Sequence, residues 1–168
     1  MLQLAYVLAA VICTVIGVLA WRKRDATVAA PALAAAMAGI TWWTLVDLVV
    51  SFADDHERVR DLWVLVLPGV GLAIAAFYCL CRGMADRDWR PTRRLVALLA
   101  VEPVLITLAV FSNPWHELVV GPVQPGDVHL TYGVLFWVHT AYSYALLTYA
   151  LAVVVRQRRF APALQTGS

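Results

Sequence analysis

Five stretches of nearly uninterrupted apolar sequence, at about 2–21, 26–53, 62–81, 95–111 and 130–155, leave this chain few ways to fold. A bilayer core is about 30 Å thick and is crossed by roughly 20 helical residues rising 1.5 Å each. Hydrocarbon offers no partner to a backbone amide or carbonyl, so a spanning segment must satisfy its own, and an α-helix does so. The expectation is an all-α fold: a polytopic membrane helix bundle with about five transmembrane helices. Composition agrees, with 62% hydrophobic and 14% charged residues, far from the balance of a soluble domain. Five spans and their connections use nearly all of the 168 residues. Residues 1–155 therefore form a single membrane domain, 156–168 a basic cytoplasmic tail, and no length remains for a soluble catalytic domain. The localisation expected is the cell membrane, multi-pass.

The net charge of +2 gives no reason to expect a nucleic-acid partner, but the basic residues are strongly segregated. Three follow the first span, five the third and three the fifth, against two after the second and none after the fourth, so eleven of thirteen share one side. Short basic loops stay in the cytoplasm, which puts the N-terminus outside and the C-terminus in the cytoplasm. The first span carries Arg22, Lys23 and Arg24 after its apolar run rather than before it, the order of an anchor and not of a secretory leader. Trp21, Trp63 and Trp115 fall at or beside span boundaries, where amphipathic rings prefer to lie.

Within the spans, Asp25 or Thr27 can cap the second helix, whose first turn tolerates Pro31. Its Ala- and Gly-rich first half, 29–39, suits close approach of backbones and places it inside the bundle. Residues 54–61 are expected to be a charged loop, the third span to kink at Pro68, Gly69 and Gly71, and 112–129 to be a loop containing Pro114, Gly121, Pro122, Pro125 and Gly126. Cys13, Cys79 and Cys81 read as small apolar residues. No internal repeat is visible.

Three ionisable side chains lie inside spans: Asp47, Glu102 and His139. An acid at mid-membrane costs on the order of 2.5–3.5 kcal/mol, so each must face the bundle and take a partner or a function. Counted from the outer helix ends, Asp47 lies roughly 9 Å deep, His139 roughly 12–14 Å and Glu102 roughly 14 Å, one layer in the outer half. Trp43, Thr44 and Ser51 share the face of Asp47, and Tyr132, His139, Tyr142 and Tyr149 form one stripe on the fifth span. The expected ligand-binding set is Asp47, Glu102, His139, Trp43 and Tyr142, taking a small polar or cationic ligand or a proton; the alternative is interhelical hydrogen bonding. No metal, cofactor or catalytic residue is expected. Zinc-protease, nucleophile-elbow and phosphate-loop motifs are missing, and His116 with Glu117 is too sparse to define a site.

The segment Asn113-Pro114-Trp115-His116, followed by the run from Tyr132-Gly133-Val134 through Trp137-Val138-His139-Thr140-Ala141-Tyr142-Ser143-Tyr144, resembles the N-terminal seven-helix sensor region of membrane histidine kinases. So does the order of features: an opening helix ending in W-R-K-R, a second with Trp43 and an acid near its end, a third with Pro68 and a fourth with Pro103. The resemblance implies a module that perceives a signal and passes it to a cytoplasmic kinase or cyclase module. It also implies two helices beyond the tail, so the chain is expected to be a fragment, a truncated product or a small protein working with a partner. A sensory module without its own kinase is the leading expectation. The alternatives are a small oligomeric transporter or channel subunit using the buried acids, or a remnant. Partners expected are the bilayer, a small ligand or proton, and a cytoplasmic signalling protein or further copies of the chain.

Overall fold

The computed structural model describes residues 1–86, 88–122 and 130–160, with side chains as far as Arg156. Six helices follow one another: α1 Leu2–Arg22, α2 Ala29–Val50, α3 His56–Trp63, α4 Val66–Ala85, α5 Arg93–His116 and α6 Val134–Phe160. Five helical stretches are long and apolar enough to cross a membrane, α3 and α4 together supplying one of 30 residues. The described residues hold no strand, only an isolated antiparallel bridge between Val120 and Tyr132. Pro125, Gly126 and the tail beyond residue 160 lie outside the described residues.

Polar side chains stand at the starts of α2, α3 and α5. The amide of Ala30, in the first turn of α2, donates to Oγ1 of Thr27, the residue before the N-cap Val28. Thr92 accepts from the amide of Leu95 at the start of α5, and Asp55 from that of Glu57 at the start of α3.

Residues 54–61 differ from the expected loop, because 56–63 form α3, with Val59, Leu62 and Trp63 half-buried on one face, Arg60 half-buried as well, and its other charged residues exposed. The expected kink at Pro68 is instead a break three to four residues earlier. A proline lacks an amide to give residue 64 and its ring crowds that carbonyl, so Pro68 fits only the first turn of a new helix. The chain accordingly turns at Val64 and Leu65, where Leu65 donates to Leu62 and Leu67 to Val64 in tighter, three-residue steps. Trp42 braces this break, its indole Nε1–H donating to the Leu65 carbonyl at 2.7 Å.

The central helix is α4, which packs against α2, α5 and α6. Half of the apolar window of α3–α4 is buried, against 22% for α2 and 6% for α1, so α2 lies between α1 and α4 rather than at the centre. Glycine sets the α2–α4 distance: a Cβ on Gly39 would fall 2.5 Å from the carbonyl of Gly69, and one on Gly69 would fall 2.7 Å from that of Gly39. The backbones touch with no side chain between them.

Two apolar clusters mark the two ends of the bundle. One joins the start of α4 to the end of α5 through Val64, Leu67, Ile106 and Val110, closed over by Val119 and Val120, both fully buried. The other joins the end of α4, the start of α5 and the end of α6 through Tyr78, Cys81, Leu99 and Ala150. Cys79 and Cys81 are free thiols packed in this second cluster, as small apolar residues would be.

Candidate functional site

Glu102 and His139 meet. The carboxyl Oε1 of Glu102, on α5, and the imidazole Nδ1 of His139, on α6, are hydrogen-bonded to each other, with 16% and 4% of their side chains exposed. The second carboxylate oxygen, Oε2, points at α4, where a Cβ on Gly71 would lie 3.0 Å from it. Glycine at 71 is what makes room for the acid, and three helices converge on it. Pro103, next to Glu102, packs on the same glycine, its Cα 3.4 Å from that Cβ position.

Around the pair the polar accounts do not close. Glu102 Oε2, the hydroxyl of Tyr142 and the hydroxyl of Ser143 are all buried without a hydrogen-bond partner. Tyr142, one turn beyond His139, lies within electrostatic range of the Glu102 carboxylate. Glu102, His139 and Tyr142 together line a cavity of about 840 Å³ between α5 and α6. Leucine, valine and isoleucine make up most of its remaining wall.

Asp47 and Trp43 stand elsewhere. Neither lines this cavity, and the group near the Asp47 carboxylate is the indole of Trp43, one turn earlier on α2. Thr44 and Ser51, expected to share a polar surface with Asp47, instead donate to the carbonyls of Ile40 and Leu48 in their own helix. Of the expected stripe, Tyr149 on α6 stacks on Tyr78 at 5.8 Å between ring centroids, while Tyr132 falls before the start of α6 and lies 5.8 Å from Trp63. Gly71 and Ser143 are missed by sequence reasoning, since neither is ionisable. A small residue facing a buried acid shows itself only once the helices are placed.

The Asn113-Pro114-Trp115-His116 segment continues α5 to His116, five residues past the expected end at Phe111. The helix persists because Asn113 and His116 satisfy the backbone that follows it. Asn113 Oδ1 accepts from the amides of Val119 and Val120, and its Nδ2 donates to the Val120 carbonyl. His116 Nδ1 accepts from the Leu118 amide while Nε2 pairs with Ser112. Glu117 takes a left-handed φ of 51° to reverse the chain. With both ring nitrogens engaged, His116 organises this turn. No group of three or more His, Cys, Asp or Glu capable of holding a metal occurs among the described residues.

A family model described as the N-terminal 7TM region of histidine kinase matches residues 5–167. The chain belongs to this family. Comparison with curated proteins and with solved structures finds no match. As a histidine-kinase 7TM region the chain is a multi-pass sensory membrane module, and such a region is not itself catalytic. The family's name counts seven spans, and the described residues of this member hold five.

Proposed function

We propose that this sensor region receives its signal in the cavity between α5 and α6, with Glu102, His139 and Tyr142 as the receiving residues, and hands it on without a kinase domain in this chain. The observation that carries the reading is the Glu102–His139 pair, which ties α5 to α6 beside that cavity, with the second carboxylate oxygen, turned toward α4, and the Tyr142 phenol both buried without a partner. In this reading residues 1–155 act as one membrane unit, the N-terminus is outside, and 156–168 is a cytoplasmic tail that meets a signalling partner. Asp47 and Trp43, on α2 away from the cavity, contribute to packing of that helix rather than to reception.

A ligand can shift the bundle only by binding two packings unequally. The seam to be shifted is thinly held: α5 and α6 touch each other sparsely and each leans on α4. Breaking the pair should therefore move the far end of α6 relative to α4. Spin labels placed at Met84 and Arg156 in a cysteine-free variant in nanodiscs read that distance. Glu102→Gln should shift or broaden the distribution, and an unchanged distribution would sink the reading. The competing transporter reading predicts proteoliposome cation or proton flux that disappears with Glu102→Gln, and flux of that kind would replace sensing by transport.

A further inference from the structure

His116 holds more than the end of its own helix. A backbone amide can only donate, so the 2.9 Å bond from the Leu118 amide to His116 Nδ1 makes Nδ1 an unprotonated acceptor. The ring proton is then on Nε2, which faces Ser112 Oγ at 2.9 Å, and the Ser112 hydroxyl gives its own hydrogen to the Leu108 carbonyl at 2.7 Å. This chain of donors and acceptors closes only with a neutral imidazole.

Leu118, the residue secured by that bond, faces two ways. Its amide goes to His116, while its carbonyl accepts from the amide of Leu135 at 2.9 Å, in the first turn of α6. Gly133 lies so close to the Leu118 backbone that a side chain there would collide with it. Val119 and Val120 are secured separately, by Asn113. One imidazole thus fastens the link from the end of α5 to the start of α6, and His139 lies about one turn beyond Leu135 on that helix.

Position and surroundings suit His116 to respond to protons. With 24 residues, α5 extends about 36 Å, longer than the roughly 30 Å core of a bilayer, which puts its last residue at the interface. His116 is half-buried there. Leu118, Leu135 and Val138, which line the cavity beside it, are apolar. The nearest charge in sequence is the exposed Glu117. Arg60 and Asp61 of α3 pair with each other. Glu102, bound to His139, lies fourteen residues earlier on α5, about 21 Å of helix away. Tyr78, Tyr142 and Tyr149 of the same cavity are phenols, a group that stays neutral across about pH 5–8, where imidazoles titrate.

We propose that His116 is a proton-operated clasp: a proton taken up at Nδ1 releases the Leu118 amide and loosens the strap that runs through Leu118 to the first turn of α6. The protonated ring donates from both nitrogens, so the amide loses its acceptor and meets an N–H instead. The strap is held at higher pH and let go as pH falls. The proposal deepens the sensory reading above by naming a proton as an input at the rim of the same cavity, and it rests on that reading only for its consequence at α6.

The test uses the full chain in phosphatidylcholine nanodiscs. Nitrogen NMR of the His116 ring at about pH 8, where imidazoles are neutral, should show Nε2 protonated and Nδ1 bare; a proton on Nδ1 would overturn the proposal. On going to about pH 5, protection of the Leu118 amide, corrected for the pH dependence of chemical exchange, should fall about threefold to tenfold, the worth of one hydrogen bond. Val119 and Val120 should keep theirs. His116→Asn sets a side-chain oxygen where Nδ1 was and takes up no proton, so protection at Leu118 should persist and lose its pH dependence. In His116→Leu it should be low throughout. A Leu118 amide indifferent to pH in the parent chain overturns the clasp, as does a pH response that survives in His116→Asn, which would belong to another of the four histidines. Failure here with the spin-label shift of Glu102→Gln intact would remove the clasp and leave the sensory reading standing. A Leu118 response of the expected kind without that shift would do the reverse.

Discussion

Glu102 is held by one full hydrogen bond, to His139, and by a glycine that makes room for its other oxygen. How much the pair is worth depends on which reference applies. Breaking a buried ion pair in a water-soluble protein costs about 3–5 kcal/mol, yet in bilayers measured interhelical hydrogen bonds give about 0.6–2 kcal/mol because the separated helices also find partners. Both helices here cross the membrane, so the smaller value should govern. A double-mutant cycle with Glu102→Gln and His139→Leu, read by unfolding in mixed micelles, should return a coupling of about 1–2 kcal/mol; a coupling near zero would mean the pair does not hold the seam. Gly71→Ala presses a methyl onto Oε2 at 3.0 Å and near Pro103 Cα at 3.4 Å, and should cost about 1–3 kcal/mol as overpacking does. If Gly71→Ala proved as stable as the parent, the acid could not point at α4. Glu102 and His139 were legible because a charge in an apolar run is conspicuous. Asp47 was equally conspicuous and yet lies apart from them, since depth along a helix follows from counting residues while the direction a side chain faces depends on which helices become neighbours.

Among the elements, proline and asparagine decide where helices begin and end. Pro68 is compatible with a bent helix or with a fresh start, and sequence alone does not choose; the amphipathic 56–63 segment, folded as α3, makes the fresh start the better solution. Likewise, Pro114 looked like the opening of a loop, whereas α5 runs through it because Asn113 supplies the partners that the turn needs. Asn113→Ala would leave the amides of Val119 and Val120 and the Val120 carbonyl without their side-chain partner in a buried place. Each such orphan costs about 1–3 kcal/mol. Hydrogen exchange should accelerate at Val119 and Val120 by at least an order of magnitude, with α1 and α2 unaffected; protection unchanged at those two amides would show that the turn holds without Asn113. The α2–α4 crossing makes the matching case for glycine. Gly39→Ala drives a methyl to 2.5 Å from a backbone carbonyl, whereas Gly17→Ala meets the Met37 Cβ at 3.2 Å and the Ala34 carbonyl at an ordinary 3.7 Å. The first should unfold at clearly lower detergent or temperature than the second, and the reverse order would contradict the backbone contact.

At the scale of the whole molecule, the packing and the charges describe the same two ends. The cluster built from Tyr78, Cys81, Leu99 and Ala150 gathers the end of α4, the start of α5 and the end of α6, and these are the helix ends that flank the two basic stretches 82–94 and 156–159. The opposite end, closed by Val119 and Val120, carries acidic Asp54, Asp55 and Glu117 and few basic residues. Because the bundle fixes which loops lie together, a single orientation must satisfy all of them at once, and the eleven basic residues at one end act as one signal rather than three. Single cysteines introduced in place of Lys23 or Asp88 in a cysteine-free background should resist a membrane-impermeant maleimide in intact cells and react once the membrane is opened. Replacements at Asp54 or Glu117 should react in both. Reaction at Asp88→Cys in intact cells would invert the bundle, place the proposed receiving layer nearer the cytoplasmic face, and separate the tail from any cytoplasmic partner; mixed reactivity at every position would mean two orientations coexist, which a charge asymmetry of eleven to two should not permit.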